Sequence, residues 1–278
     1  MSRICQGLDE RVAAFRGRTL GHVAFPYVYL DATYVNVRDD ALGQVVSRAV
    51  VVATGITANG DREVLGLDIG DSEDETFWTR FLRSLRDRGL AGVRLVISDA
   101  HAGLKASIRK CFSGASWQRC RVHYARNLLA VIPKAQQEFV AAAFRSIFAH
   151  TTAAEVEARY DEVAAMLAER FPKAAASLTD ARVDVLAFSA FPVEHWRKIW
   201  SNNPLERLNK EIKRRSNVVG IFLRVPLAPA STPSGVGAAR LPEGPRVTRN
   251  LSVEPSALTL LGPVLSVPRG WPRDLIAA

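Results

Sequence analysis

From Phe25, three stretches dense in β-branched and aliphatic residues follow one another: FPYVYLDATYVNVR, QVVSRAVVVATGIT and REVLGLDIG, broken by Asp or Gly. Such residues suit a pleated, half-buried surface, so the pattern predicts three consecutive strands, paired antiparallel. An acidic run, DSEDE, then leads into TFWTRFLRSLRDRG, where Phe77, Phe81, Leu82 and Leu85 recur at helical spacing until Gly89. GVRLVISDA is nearly continuous in apolar character, as in a buried parallel strand, and AGLKASIRKCF after it reads as a second helix. The predicted order is βββαβα, an α/β arrangement in which the first helix returns the chain across the sheet.

Elsewhere the chain reads as helix or tail. Residues 2–16 place Ile4, Leu8, Val12 and Phe15 at helical spacing, with Gly7 as a weak point. SWQRCRV is a short strand candidate, and the Ala-rich stretch 124–171 is expected to be mostly helical with a break near Pro133. SNNPLERLNKEIKRRSN carries an apolar stripe at Leu205, Leu208 and Ile212 after an Asn–Pro start, which predicts a helix over 204–215. After Phe222, nine of the fourteen prolines fall in the last 56 residues and periodicity fades, so 223–278 is expected to be a largely unstructured Pro/Arg-rich tail.

The chain has 37 Lys and Arg against 28 Asp and Glu, a net charge of +9. That balance favours a polyanionic partner, nucleic acid first, through phosphate neutralisation and counterion release. The tail holds six Arg and three acidic residues, so residues 1–222 keep +6 without it. Three widely spaced cysteines, Cys5, Cys111 and Cys120, do not describe a disulfide framework and point to a reducing cytoplasm. No apolar run is long enough to span a bilayer and the N-terminus is too charged for a signal-peptide core, so a soluble, cytoplasmic protein without a membrane partner is expected.

Two acids stand out. Asp31 lies inside an apolar strand, on the same face as Tyr27, Tyr29 and Thr33 by alternation, and Asp99 ends the most apolar strand. Carboxylates from the first and fourth strands lie side by side if those strands are neighbours, and such a pair can bridge divalent metals. Structural readings compete: Asp99 as a cap of the following helix, Asp31 as the end of a shorter strand. A hard, oxygen-rich Mg²⁺ (or Mn²⁺) site wants a third acid, and the C-terminal helix offers Glu206 and Glu211, about 140° apart around the helix. Angle alone does not choose between them, and Asn203 to Glu206 also fits a capping box. Arg207, Lys210, Lys213, Arg214 and Arg215 either form a solvated face or supply phosphate contacts.

At YVYLDATYVNVR, SDAHAGLKASIRKCFSGASWQRCRVH and IWSNNPLERLNKEIKRRSNVVGIF, the sequence resembles Mutator-type transposases of bacterial insertion sequences, over most of residues 1–222. The middle block is the most specific: Asp99, Gly103, then Gln118, Cys120 and His123 as QRCxxH match the family signature. The resemblance implies a ribonuclease-H-like mixed sheet with a helical insertion before the last catalytic helix. The corresponding division is a lead-in at 1–24, the first part of the catalytic domain at 25–134, the insertion at 135–200, the catalytic helix at 201–222 and the tail at 223–278. It also implies an Asp-Asp-Glu triad of Asp31, Asp99 and Glu206, with Glu206 preferred to Glu211 by the Asn-Pro-x-Glu-Arg block. Cys120 and His123 supply only two ligands of the four that a structural zinc wants, so packing is the expected role for both. His101 either orients a carboxylate or water, or simply starts a helix.

The implied reaction is metal-dependent phosphoryl transfer: cleavage at transposon ends by water, then attack of a 3′-hydroxyl on target DNA. Intact members carry a long N-terminal region that reads the element ends, and the full-length protein is expected to oligomerise. Beginning just before the sheet and diverging after Phe222, the chain is expected to be a truncated remnant that keeps its carboxylates. The rival readings are a non-catalytic DNA-binding remnant and a metal-dependent nuclease of the same fold.

Overall fold

In the computed structural model, residues 3–39, 43–70, 73–201, 205, 208–214 and 222–223 are described. Contacts divide the chain into two compact units. The larger comprises Arg16–Val35 and Arg48–Lys213, and the smaller Met1–Phe15, Asn36–Ser47 and Arg214–Ala278.

The larger unit is built on a mixed sheet. Its strands are β1 (Tyr27–Asp39), β2 (Gln44–Ile56), β3 (Arg62–Gly70), β4 (Leu95–Ser98) and β5 (Ser116–Arg119), in the order β3-β2-β1-β4-β5. β2 and β3 pair antiparallel, with a register shift at Ala53/Thr54, while β4 is parallel to both β1 and β5. The βββαβα order expected from the sequence is therefore present, with α2 (Glu75–Asp87) before β4 and α3 (Ala102–Cys111) after it. β4 is only four residues long and all four are buried, which is why the sequence around it shows no alternation.

Each sheet face has its own cover. Val28, Leu30, Val51, Ala53, Leu65 and Val96 meet Trp78, Phe81, Leu82 and Leu85 of α2 and Leu104 and Ile108 of α3 in one core. α2 starts where the sequence suggested, because Asp74 caps it by accepting from the Phe77 amide at 2.8 Å. Gly103 lets α3 approach α2: a Cβ there would stand 2.8 Å from the Glu75 amide nitrogen, and Ser107 Oγ donates to the carbonyl of Glu75. The opposite parity of β1, Tyr27 and Tyr29, meets α8 (Val193–Ile199). There Tyr29 Oη donates to the Lys198 carbonyl and Tyr27 Oη lies 2.7 Å from His195 Nδ1.

Helices α4 (Arg121–Ala130), α5 (Lys134–Ser146), α6 (Ala153–Ala168) and α7 (Pro172–Leu186) follow β5, and the break near Pro133 is observed. Thr152 and Glu155 form a full capping box at the start of α6. Phe148, Phe188, Trp196 and Trp200 pack edge to face, and the Arg121 guanidinium lies over Phe148 and Trp200, 4.7 and 4.2 Å from their centroids. Burial lowers the Arg121 pKa to about 10. Residues 205 and 208–214 are helical, and Leu205, Leu208 and Ile212, the stripe read from the sequence, are buried.

In the smaller unit, the end of β1 pairs in parallel with β6 (Phe222–Leu223) through Val37 and Arg38. Helix α1 (Arg3–Gly17) covers most of the segment expected to be helical, Gly7 included. The tail from residue 224 lies outside the described residues. No described helix is long and apolar enough to cross a membrane.

Candidate active site

Parallel pairing of β1 with β4 aligns Tyr27 with Leu95, Val28 with Val96 and Tyr29 with Ile97. Asp99 follows directly on Ser98, the last residue of β4; continued two residues past Tyr29 and Ile97, the same register would set Asp31 opposite it, and both charges act on His123. Both carboxylates are partly exposed, and both have the parity of Tyr29 and Ile97, facing away from the α2–α3 core. The juxtaposition arises because β4 re-enters the sheet next to β1, at the free end of the most buried strand.

Backbone amides hold both side chains. Asp31 Oδ1 accepts from the Ala32 amide at 3.1 Å, and Asp99 Oδ1 from the Ala100 amide at 2.7 Å. Asp99 is not the cap of α3: the N-cap is His101, which is exposed and makes no side-chain cap bond. Asp31 is not a strand end either, since β1 runs on to Asp39.

The third wall comes from the C-terminal helix. Asn209, buried on the same side as Leu205, Leu208 and Ile212, donates from Nδ2 to Asp31 Oδ2 at 2.8 Å. Its Oδ1 is also buried and has no partner among the described residues. The sequence reading passed over Asn209, although an amide falling in phase with an apolar stripe was a usable signal. Lys210, Lys213 and Arg214 are exposed and Glu211 is half-buried. Glu206, Arg207 and Arg215 lie outside the described residues. Among the described residues no three His, Cys, Asp or Glu side chains form a group that could hold a metal ion.

The remaining family-signature residues lie on β5 and at the start of α4. Gln118 is fully buried: Nε2 donates to the carbonyls of Val185 and Arg119 at 2.7 and 2.8 Å, and Oε1 accepts from the Phe188 amide at 2.8 Å. This pins β5 to the end of α7 and the turn after it. Cys120 is the buried N-cap residue of α4, and its amide donates to the Ser98 carbonyl at 2.8 Å, one residue before Asp99. His123, in the first turn of α4, hydrogen-bonds the Cys120 side chain. That bond, with the charges of Cys120, Asp31 and Asp99, raises its pKa to about 9 against the opposing effect of burial. At neutral pH the imidazolium therefore adds a positive charge beside two carboxylates, the arrangement expected where ionised acids are kept together.

Comparison with known proteins agrees with these blocks. Residues 1–225 match the family described as Transposase, Mutator family. The chain is 47% identical over 222 residues to the transposase for insertion sequence element IS1081 of Mycobacterium tuberculosis, covering 80% of this chain and 53% of that protein. It is 37% identical over 227 residues to the transposase for IS256 in transposon Tn4001 of Staphylococcus aureus, covering 80% and 57%. With the transposase for IS406 of Burkholderia multivorans it shares 40% identity over 223 residues, covering 80% and 56%. The chain thus spans about half the length of the curated relatives it matches. On the match over residues 1–225 and these identities, the chain belongs to the Mutator family of transposases.

Proposed function

We propose that this chain is the catalytic region of a metal-dependent Asp-Asp-Glu transposase of ribonuclease-H-like fold, acting on transposon ends and target DNA. The observation that carries the reading is the parallel pairing of β1 with β4, whose register, continued past Tyr29 and Ile97, would bring Asp31 opposite Asp99. The order β3-β2-β1-β4-β5, with the first three strands consecutive in sequence, supports the fold assignment.

The donor chemistry fits Mg²⁺ or Mn²⁺, because carboxylate oxygens are hard ligands. Asp31 and Asp99 would hold the ions, with Glu206 as third acid. When bound, the metal supplies Lewis-acid activation of water or a 3′-hydroxyl and charge stabilisation at the leaving 3′-oxygen. The protein's own work is positioning. The amides of Ala32 and Ala100 fix one oxygen of each carboxylate, Asn209 fixes the second oxygen of Asp31, and His123 offsets their mutual repulsion. Choosing Glu206 over Glu211 rests on the family block and on helical phase: with Asn209 turned to Asp31, Glu211 two positions on is turned away by about 200°. Lys210, Lys213 and Arg214, with Arg207 and Arg215, supply phosphate contacts. Cytoplasmic location and assembly into an oligomer belong to the same reading.

The test is incubation of the purified chain with labelled element ends, taken from the DNA flanking its coding frame, and Mg²⁺ or Mn²⁺. Nicking followed by joining is expected, and Asp99→Ala should abolish both while leaving DNA binding largely intact. Nicking without joining would indicate a nuclease, and binding without nicking a non-catalytic remnant. Cleavage by Asp99→Ala at the normal rate would rule the assignment out.

A further inference from the structure

The face of the sheet opposite the carboxylates carries a second concentration of positive charge. Along α2, Arg80, Arg83 and Arg86 follow one another at i, i+3, and all three are exposed. Arg80 is engaged, 3.7 Å from Asp68 and over the Phe77 ring. Arg83 and Arg86 form no ion pair among the described residues, and neither does the exposed Lys110 near the end of α3. These three come from two helices yet converge, since all act on the Cys111 thiol: burial raises its pKa, and the three cations oppose that rise. Between the helices lies a cleft of about 440 Å³ with Arg80, Arg83 and Lys110 in its walls, together with the hydroxyls of Thr76 and Ser84. Two carboxylates, Glu75 and Asp87, line it as well without pairing with those cations among the described residues.

Like charges three residues apart on a helix repel each other, and no ion pair among the described residues joins Arg83 or Arg86 to an acid. A polyanion would relieve that repulsion. We propose that the α2–α3 face is a second DNA-contact surface, in which Arg83, Arg86 and Lys110 neutralise backbone phosphates of duplex outside the reacting site. The proposal rests on the reading of the chain as a transposase, whose chemistry involves two DNA partners. The surface cannot present DNA to Asp31 and Asp99, because α2 and α3 cover the other face of the sheet. It therefore holds flanking or target duplex by its backbone, without reading bases.

The experiment compares the full chain with the triple variant Arg83→Gln/Arg86→Gln/Lys110→Gln, by fluorescence anisotropy on a short duplex of random sequence across a salt series. Three lost phosphate contacts should weaken binding about tenfold or more at low salt and flatten the slope of log K against log salt by about 2 to 3. The melting temperature should stay level or rise, since repulsion is removed, which separates this result from misfolding. Unchanged affinity and slope in the triple variant, with loss of binding in Lys210→Gln/Lys213→Gln, would overturn the second surface and leave the proposed function standing. Failure of the wild-type chain to bind random duplex would overturn it too, while nicking of element ends would still support the transposase reading.

Discussion

Asn209 Nδ2 donates to Asp31 Oδ2 across 2.8 Å, joining the C-terminal helix to the strand that carries the first carboxylate. The bond is charge-assisted and Asn209 is buried, so removing the amide in Asn209→Ala should cost about 1 to 3 kcal/mol. Asn209→Asp sets two carboxylates against each other and should cost more at pH 7 than at pH 4.5, where the pair can share a proton. Urea denaturation midpoints at the two pH values check both, and equal losses for the two variants at pH 7 would show that the contact contributes only shape.

At Gly103 the constraint is space. A methyl group would meet backbone of α2 at 2.8 Å, with no flexible side chain to yield. Gly103→Ala should therefore destabilise by about 1 to 3 kcal/mol through separation of α3 from α2. Thermal melting of the variant is the measurement, and a wild-type Tm would sink the argument.

Gln118 has a different kind of indispensability. Replacing it with Leu conserves much of the volume but strands the Val185 carbonyl and the Phe188 amide in a buried setting. A loss of about 2 to 5 kcal/mol is expected, and amide exchange should show Phe188 losing protection first.

His123 gives the pH dependence. The unfolded imidazole titrates near 6.5 and the folded one at about 9, so the folded protein binds more protons between those values. Its stabilisation is complete below about pH 6.5 and is lost as pH rises through about 9. Stability curves of wild type and His123→Gln should converge over that window, and NMR titration of the His123 ring should give the raised value directly. Cys120→Val removes the hydrogen bond and should move that titration downward.

The linear pattern determined the elements and left their pairing open. Alternation and apolar runs marked β1, β2, β3 and β4, and 3.6-residue periodicity marked α2, α3 and the stripe Leu205, Leu208 and Ile212, because local propensity and one-sided burial are written into neighbouring residues. The acids Asp31 and Asp99 were legible as charges in apolar surroundings. Their adjacency was not, since it depends on β4 inserting beside β1, a pairing between residues far apart in sequence. Asn209 escaped for the same reason, since it acts through Asp31 on another element, and His123 was legible as a motif letter with packing as its expected role, while its charge beside the two carboxylates depends on the fold. Gln118 was visible as a motif letter, but only the packing of β5 against α7 turned it into a three-bond clamp. Sequence thus supplied the chemistry each residue carries, and tertiary structure decided which of those chemistries meet.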